Sequence, residues 1–190
     1  MPKVVDHEKY KAELLVKCFD LFADKGYGTL TMRELASELG VSTGTLYHYW
    51  SGKQEIFQDL ITLQTERDRS RFVTRAGKPD TLEKRIEQLF RFAQENEEYF
   101  LKQLFISIDY YRQQESREEI LRNPVIKNSN EELRKILETF LGSRDREVIT
   151  FVLNVLSGLF LGRMFEGNEV SFKKQAKILA KMLRLYQMES

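Results

Sequence analysis

Between Ser42 and Lys53 the chain sets a run of hydroxyl, glycine and aromatic residues: Thr43, Gly44, Thr45, Tyr47 and His48. Their chemistry is recognition rather than turnover. Threonine donates, accepts and can touch a thymine methyl group. Tyr47 and His48 can hydrogen-bond phosphate oxygens, and a glycine lets the backbone approach a duplex closely. If Leu46 and Trp50 point inward at i and i+4, then Thr43, Thr45, Tyr47 and His48 share the opposite surface. Thr31, Ser42 and Lys53 fall at expected helix N-termini, where unpaired N–H groups and the helix dipole favour phosphate.

Those residues need a rigid frame, and the flanking pattern supplies one. A first helix is expected over His7 to Lys25, with Leu15, Cys18, Phe19 and Phe22 on one face and Gly26 ending it. Thr31 and Glu34 form a capping-box pattern that opens a second helix. Leu35 and Leu39 are its apolar face, Ala36 allows close helix approach, and Gly40 marks a sharp turn. Val41 and Leu46 pack from beyond the turn, and a short third helix is expected from Ser42 or Thr43 to Tyr49. Ser51-Gly52-Lys53-Gln54 reads as another capping box, opening a fourth helix to about Arg75. Helix, sharp turn and helix in this register satisfy the steric rules of a DNA-binding helix-turn-helix.

The segment Thr31 to Lys53, with Phe22 to Tyr27 before it and Gln54 to Phe57 after, closely resembles the DNA-binding segment of the TetR-type transcription regulators. The resemblance covers residues 8–60. Trp50 stands where that family usually has Phe, and Gly52 where a small polar residue is usual. The resemblance implies a homodimer on a pseudo-palindromic double-stranded operator, a ligand-responsive C-terminal domain and, for most members, repression. It divides the chain into a helix-turn-helix domain over 1–53 and an effector-binding and dimerisation domain over 54–190.

The remaining sequence also reads as helical, so the expected class is all-α with about nine helices. After the linker Ala76 to Pro79, helices are expected over Thr81–Asn96, Glu98–Gln113, Ser116–Leu121 and Glu131–Leu141. Two more are expected over Arg144–Phe165 and Phe172–Gln187, capped by Ser143 and Ser171. The penultimate helix is apolar nearly all round and must be covered on both sides. Val148, Val152, Val155, Leu159, Phe172, Leu179, Leu183 and Tyr186, with Gly158 and Gly162 permitting close approach, are the expected seam with a second subunit. Burial within one chain is the competing reading. The aromatic run from Phe90 to Tyr111 allows an apolar effector pocket involving Phe92, Tyr99, Phe100, Phe105 and Tyr111, with Asn154 as a polar handle. Ordinary ring packing explains any single one of them as well. The expected effector is apolar or amphipathic.

Composition narrows the alternatives. One cysteine and two histidines leave no material for a disulfide framework or a His/Cys metal cluster. No cofactor, metal or catalytic residue is indicated, because phosphate-binding glycine loops, nucleophile elbows and Ser/His/Asp sets are all missing. Cys18 reads as buried and inert, and His7 as a solvated terminal residue. The N-terminus is too charged for a signal peptide, and the longest uncharged run, Val148 to Gly162, is short of a membrane span. A cytoplasmic protein without a membrane partner is expected. A helical small-molecule carrier, or an interaction protein that never touches DNA, is the alternative.

Charge favours that alternative slightly. Up to Leu60 there are seven basic and nine acidic residues, a net charge of −2, against +1 for the whole chain. A negative reading head cannot rely on broad phosphate neutralisation. Titrating random duplex DNA against salt should therefore give weak affinity and a shallow salt slope. A slope as steep as that of a strongly basic domain would contradict this reading.

Overall fold

A computed structural model of the chain describes residues 6–189. Among them are ten α-helices and no strand. The all-helical class is as expected, and each of the ten helices answers to one of the spans read from the sequence. The helices are α1 (His7–Lys25), α2 (Met32–Leu39), α3 (Thr43–Tyr49), α4 (Lys53–Ala76) and α5 (Leu82–Glu95). They continue with α6 (Glu97–Arg112), α7 (Arg117–Arg122), α8 (Pro124–Leu141), α9 (Arg146–Glu166) and α10 (Phe172–Glu189), with a 3₁₀ turn at Gly167–Glu169.

Local chemistry explains most boundaries. Asp6 caps α1 by accepting from the Lys9 N–H, and Thr81, Ser116 and Ser171 cap α5, α7 and α10 in the same way. Three starts differ from the sequence reading. Helix α8 begins at Pro124 rather than Glu131. Proline at the first helical position lacks only an N–H that would have no partner there, and Asn123 Oδ1 accepts from the N–H groups of Val125 (3.0 Å) and Ile126 (3.3 Å). Helix α9 is capped by Asp145, which accepts from Glu147 and Val148, while Ser143 accepts from Asp145. At α4 the capping box is shifted by one residue. The first helical hydrogen bonds go to the Gly52 carbonyl, and Glu55, not Gln54, reaches back to Ser51, accepting from its N–H (2.6 Å) and hydroxyl (2.8 Å).

The chain divides into two compact units, which do not follow the division at residue 53. The first comprises Met1–Glu66 and Lys102–Ser129, so it adds the second part of α6, α7 and the start of α8 to the helix-turn-helix segment. Its buried side chains include Leu15, Phe22, Leu35, Leu46, Trp50, Phe57, Ile106 and Tyr110. The second comprises Arg67–Leu101 and Asn130–Ser190. Its core joins Phe72 of α4 and Ile86, Leu89, Phe90 and Phe92 of α5 to Ile149, Val152 and Leu156 of α9 and Phe172, Ala176 and Leu179 of α10. Helix α10 lies along α5.

Phe90 has no exposed surface in this core. Phe90→Ala should lower the unfolding free energy by about 3–5 kcal/mol, combining lost transfer energy with a residual cavity. Urea denaturation of the two proteins measures it. A loss below about 1 kcal/mol would mean that the site collapses around the smaller side chain.

Candidate nucleic-acid interface

The α2–α3 corner is built as its residue types require. Thr31 and Glu34 complete the capping box, with Glu34 accepting from the Thr31 N–H at 2.8 Å. Gly40 closes α2 at φ 69, ψ 31, a left-handed conformation that is costly for any residue with a Cβ. Nothing lies within 4 Å of where its Cβ would be, so the backbone angle, not crowding, requires glycine here. Val41 N–H then donates to the Ala36 carbonyl at 3.0 Å, and Leu35, Ala36 and Leu39 are buried.

Helix α3 starts from Ser42, whose Oγ accepts from the Thr45 N–H at 3.0 Å. Leu46 and Trp50 point inward and are essentially unexposed. The Trp50 indole donates to Asp59 at 2.8 Å, and the same carboxylate pairs with Lys11 at 2.6 Å. These contacts tie α3 to α4 and α1. The opposite surface carries exposed Gly44, Tyr47 and His48 with half-buried Thr43 and Thr45. A Cβ on Gly44 would meet only Ser42 Oγ at 3.6 Å, so packing does not demand a glycine there. The Thr45 hydroxyl is within 2.8 Å of the Ser42 hydroxyl, which orients it.

Two expected phosphate contacts are engaged inside the unit. Thr31 gives its hydroxyl proton to Glu34 at 2.7 Å, and this hydrogen bonding with Thr31 holds the Glu34 carboxyl below the usual range. A charged carboxylate therefore stands at the N-terminus of α2, where a phosphate was expected. Lys53 Nζ donates to the carbonyls of Tyr27 (2.6 Å) and Leu30 (2.7 Å) and lies 4.4 Å from the centre of the Tyr27 ring. Burial lowers its pKa, opposed by the charges of Asp109 and Glu34. Lys53 is first a strut between α4 and the α1–α2 loop.

Other residues that shape this surface carry no sequence signal. Asp109 of α6 accepts from the Gly28 N–H at 2.6 Å. Tyr110 stacks on Phe57 at 3.7 Å and meets Tyr27 edge-on at 5.2 Å. A Cβ on Gly28 would lie 2.6 Å from the Gln113 side-chain amide. The end of α6 thus grips the loop that leads into α2. His7 is exposed, as expected of a solvated residue, yet its Nδ1 lies 3.0 Å from the Tyr49 hydroxyl. This links the start of α1 to the end of α3, with His48 close by at 6.1 Å between rings. Cys18 is fully buried, and burial pushes its thiol up to about 12, so it is inert at neutral pH.

The expected pocket residues are distributed over both units. Phe105 and Tyr111 lie on α6 in the first unit, with exposed side chains. In the second, Phe92 is buried and Phe100 half-buried with ring centres 5.9 Å apart, Tyr99 lies 5.4 Å from Phe100, and Asn154 is exposed on α9. An open cleft of about 200 Å³ in that unit lies elsewhere, lined by Glu83, Glu87, Lys177, Ala180, Lys181 and Arg184.

The residues of the expected subunit seam are divided between core and surface. Val148, Val152, Leu159, Phe172, Leu179 and Leu183 are buried in the core of their own unit. Val155 and Gly162 are half-buried, and Gly158 and Tyr186 are exposed. The apolar faces that remain open are different ones: Phe151, Leu161 and Phe165 on α9, and Ile178, Met182 and Leu185 on α10. A helix that is apolar all round gives no periodicity by which its inner and outer faces could be told apart.

Residues 14–60 match the model of a family described as bacterial regulatory proteins, tetR family. The transcriptional repressor KstR2 of Mycobacterium tuberculosis is 33% identical over 51 residues, 27% of this chain and 26% of that protein. Alignments with the curated relatives span about a third or less of their lengths. Two solved structures match nearly throughout. One, from Pseudomonas aeruginosa PAO1 and assigned as a transcriptional regulator, has a TM-score of 0.74 at 19% identity, over 97% of this chain and 93% of that one. The other, FadR of Bacillus subtilis in complex with stearoyl-CoA, has a TM-score of 0.67 at 14% identity, over 90% and 96%. At these identities the likeness is one of fold.

Asp109→Ala should remove the grip on the loop, leaving the Gly28 N–H without its acceptor. A loss of about 1–2 kcal/mol of unfolding free energy is expected, since the lost acceptor is a carboxylate in a partly exposed site. Asp109→Asn should lose less, because it keeps an acceptor. Equal stability of all three proteins in urea would show that the contact contributes nothing.

Proposed function

We propose that this protein, whose residues 14–60 match the model of the tetR family of bacterial regulatory proteins, is a ligand-responsive DNA-binding transcription regulator that acts as a homodimeric repressor. The observation that carries the reading is the α2–Gly40–α3 corner, where a left-handed turn holds Thr43, Gly44, Thr45, Tyr47 and His48 on one face of a short buried-backed helix. Such a face fits a major groove, with hydroxyls and Gly44 toward base edges and Tyr47 and His48 toward phosphates. Ser42 belongs to the same surface. Thr31 and Lys53 act on it mainly by holding its frame.

A short reading head with a net charge of −2 gains affinity by pairing with a second copy on paired half-sites. The open apolar faces of α9 and α10, around Phe151, Gly158, Leu161, Phe165, Ile178, Met182 and Leu185, support that pairing. Arg146–Glu169 is also long and apolar enough to cross a membrane by length and composition. A second copy covering its open face accounts for that apolarity without one, and a protein that reads chromosomal operators resides in the cytoplasm. A dimer seated on an operator excludes other proteins from it, which is repression. An effector that favours a different spacing of the two reading heads releases it. The ring-rich second unit, and the stearoyl-CoA bound by FadR, which shares the fold, support an amphipathic acyl effector.

In vitro selection from random duplexes should return a site with two related half-sites. On that site Tyr47→Ala and Thr45→Ala should each weaken binding at least tenfold, about 1.4 kcal/mol, with the dimer intact by sedimentation. Phe165→Glu should instead shift the protein toward monomer and weaken binding through lost pairing. Failure to select any site, or full affinity in both α3 variants, would sink the reading.

A further inference from the structure

Positive charge is concentrated in one short stretch of this chain. Residues 67–78 hold Arg67, Arg69, Arg71, Arg75 and Lys78 against Asp68, a net +4 in a chain of net +1. All other residues together are therefore net −3. Within α4, Arg67, Arg71 and Arg75 follow at i, i+4 and i+8 and so share one helix face. At 1.5 Å per residue they span about 12 Å. All three are exposed, and among the described residues no carboxylate pairs with any of them. Like charges four residues apart repel each other along a helix, so the row weakens α4 unless an anion lies on it.

The row has an ordered centre. The Arg71 guanidinium lies 5.3 Å from the centre of the Tyr99 ring, which restrains it by a cation–π contact. Behind Tyr99 the surroundings turn apolar: Phe100 is 5.4 Å away and in turn neighbours Phe92 and Phe160 at 5.9 and 5.7 Å. Phe72, next to Arg71 in the chain, is buried against Phe92 and Phe140. One turn of helix thus carries guanidinium outside and aromatic rings inside. Planar guanidinium groups take phosphate oxygens two at a time. Three of them over this length exceed what a single carboxylate can neutralise.

We propose that Arg67, Arg71 and Arg75 form the binding site for the phosphorylated head group of the effector. The effector class is then a phosphorylated amphiphile rather than a free fatty acid. This rests on the reading of the protein as an amphiphile-responsive regulator.

The test uses the full-length protein and calorimetry with stearoyl-CoA, stearate and free coenzyme A, each below micelle concentration. The wild type should bind stearoyl-CoA at least tenfold more tightly than stearate. In the triple variant Arg67→Gln, Arg71→Gln, Arg75→Gln that preference should fall to about twofold or less, and added salt should erode it in the wild type. Thermal melting checks that the variant is folded, and Arg71→Gln alone, with an intermediate loss, serves if it is not. Equal binding of stearate and stearoyl-CoA by the wild type, no binding of either, or an unchanged preference in the variants would overturn the proposal. So would a tenfold loss of operator affinity in the triple variant without any ligand, which would make the row a surface for the DNA backbone. Operator selection with ligand-free wild type separates the two readings, since its failure removes the regulator reading whatever the calorimetry gives.

Discussion

A helix of seven residues has no stability of its own in water. Helix α3 exists because its inner face is buried and its entry angle is set, and the rest of the reading head is arranged to supply both. Gly40 sets the angle by a left-handed turn that no β-substituted residue adopts cheaply. Leu46 and Trp50 anchor the helix, and Asp59 and Lys11 hold the indole in place from two other helices. The outer face is then free of packing demands. Gly44 is the clearest sign of this, since a Cβ would fit there without displacing anything.

Charge is handled in an unusual order. The reading head is negative overall, and one of its few cations, Lys53, is half-buried on two backbone carbonyls. A carboxylate, Glu34, closes the N-terminus of α2. Little electrostatic attraction for polyanions in general is left in this segment. The cationic surface lies instead on the second part of α4, where Arg67, Arg71 and Arg75 are exposed and the helix itself gains nothing from their repulsion.

Each unit contains a device that ties distant parts of the chain. In the first, Asp109 and Tyr110 bring α6 against the loop that precedes α2 and the start of α4. In the second, Arg163 binds Glu97 at 2.5 Å and also the Val170 carbonyl and Asn168, closing the turn between α9 and α10. Both include a part-buried polar contact between residues more than sixty positions apart.

Local features were legible in the sequence because their physics is local. The spans of α1, α2 and α3, the glycine turn and the outward side of α3 follow from periodicity, capping residues and the steric demands of a corner within about twenty residues. Caps failed where two candidates stood side by side: Gln54 and Glu55, or Ser143 and Asp145, cannot be separated without backbone geometry. The sequence pattern leaves Pro124 outside the expected helix because proline breaks a helix interior, whereas with Asn123 before it proline starts one. What only the tertiary structure decided is which apolar face turns inward. Val152, Leu159 and Leu183 are apolar residues of α9 and α10, as are Phe151, Phe165 and Met182, yet the first three fill the core and the last three remain open. Periodicity records that a face is apolar. Which partner covers it depends on residues far away in the chain, as do the positions of Asp109 and Lys53, whose roles arise from contacts that no short stretch of sequence contains.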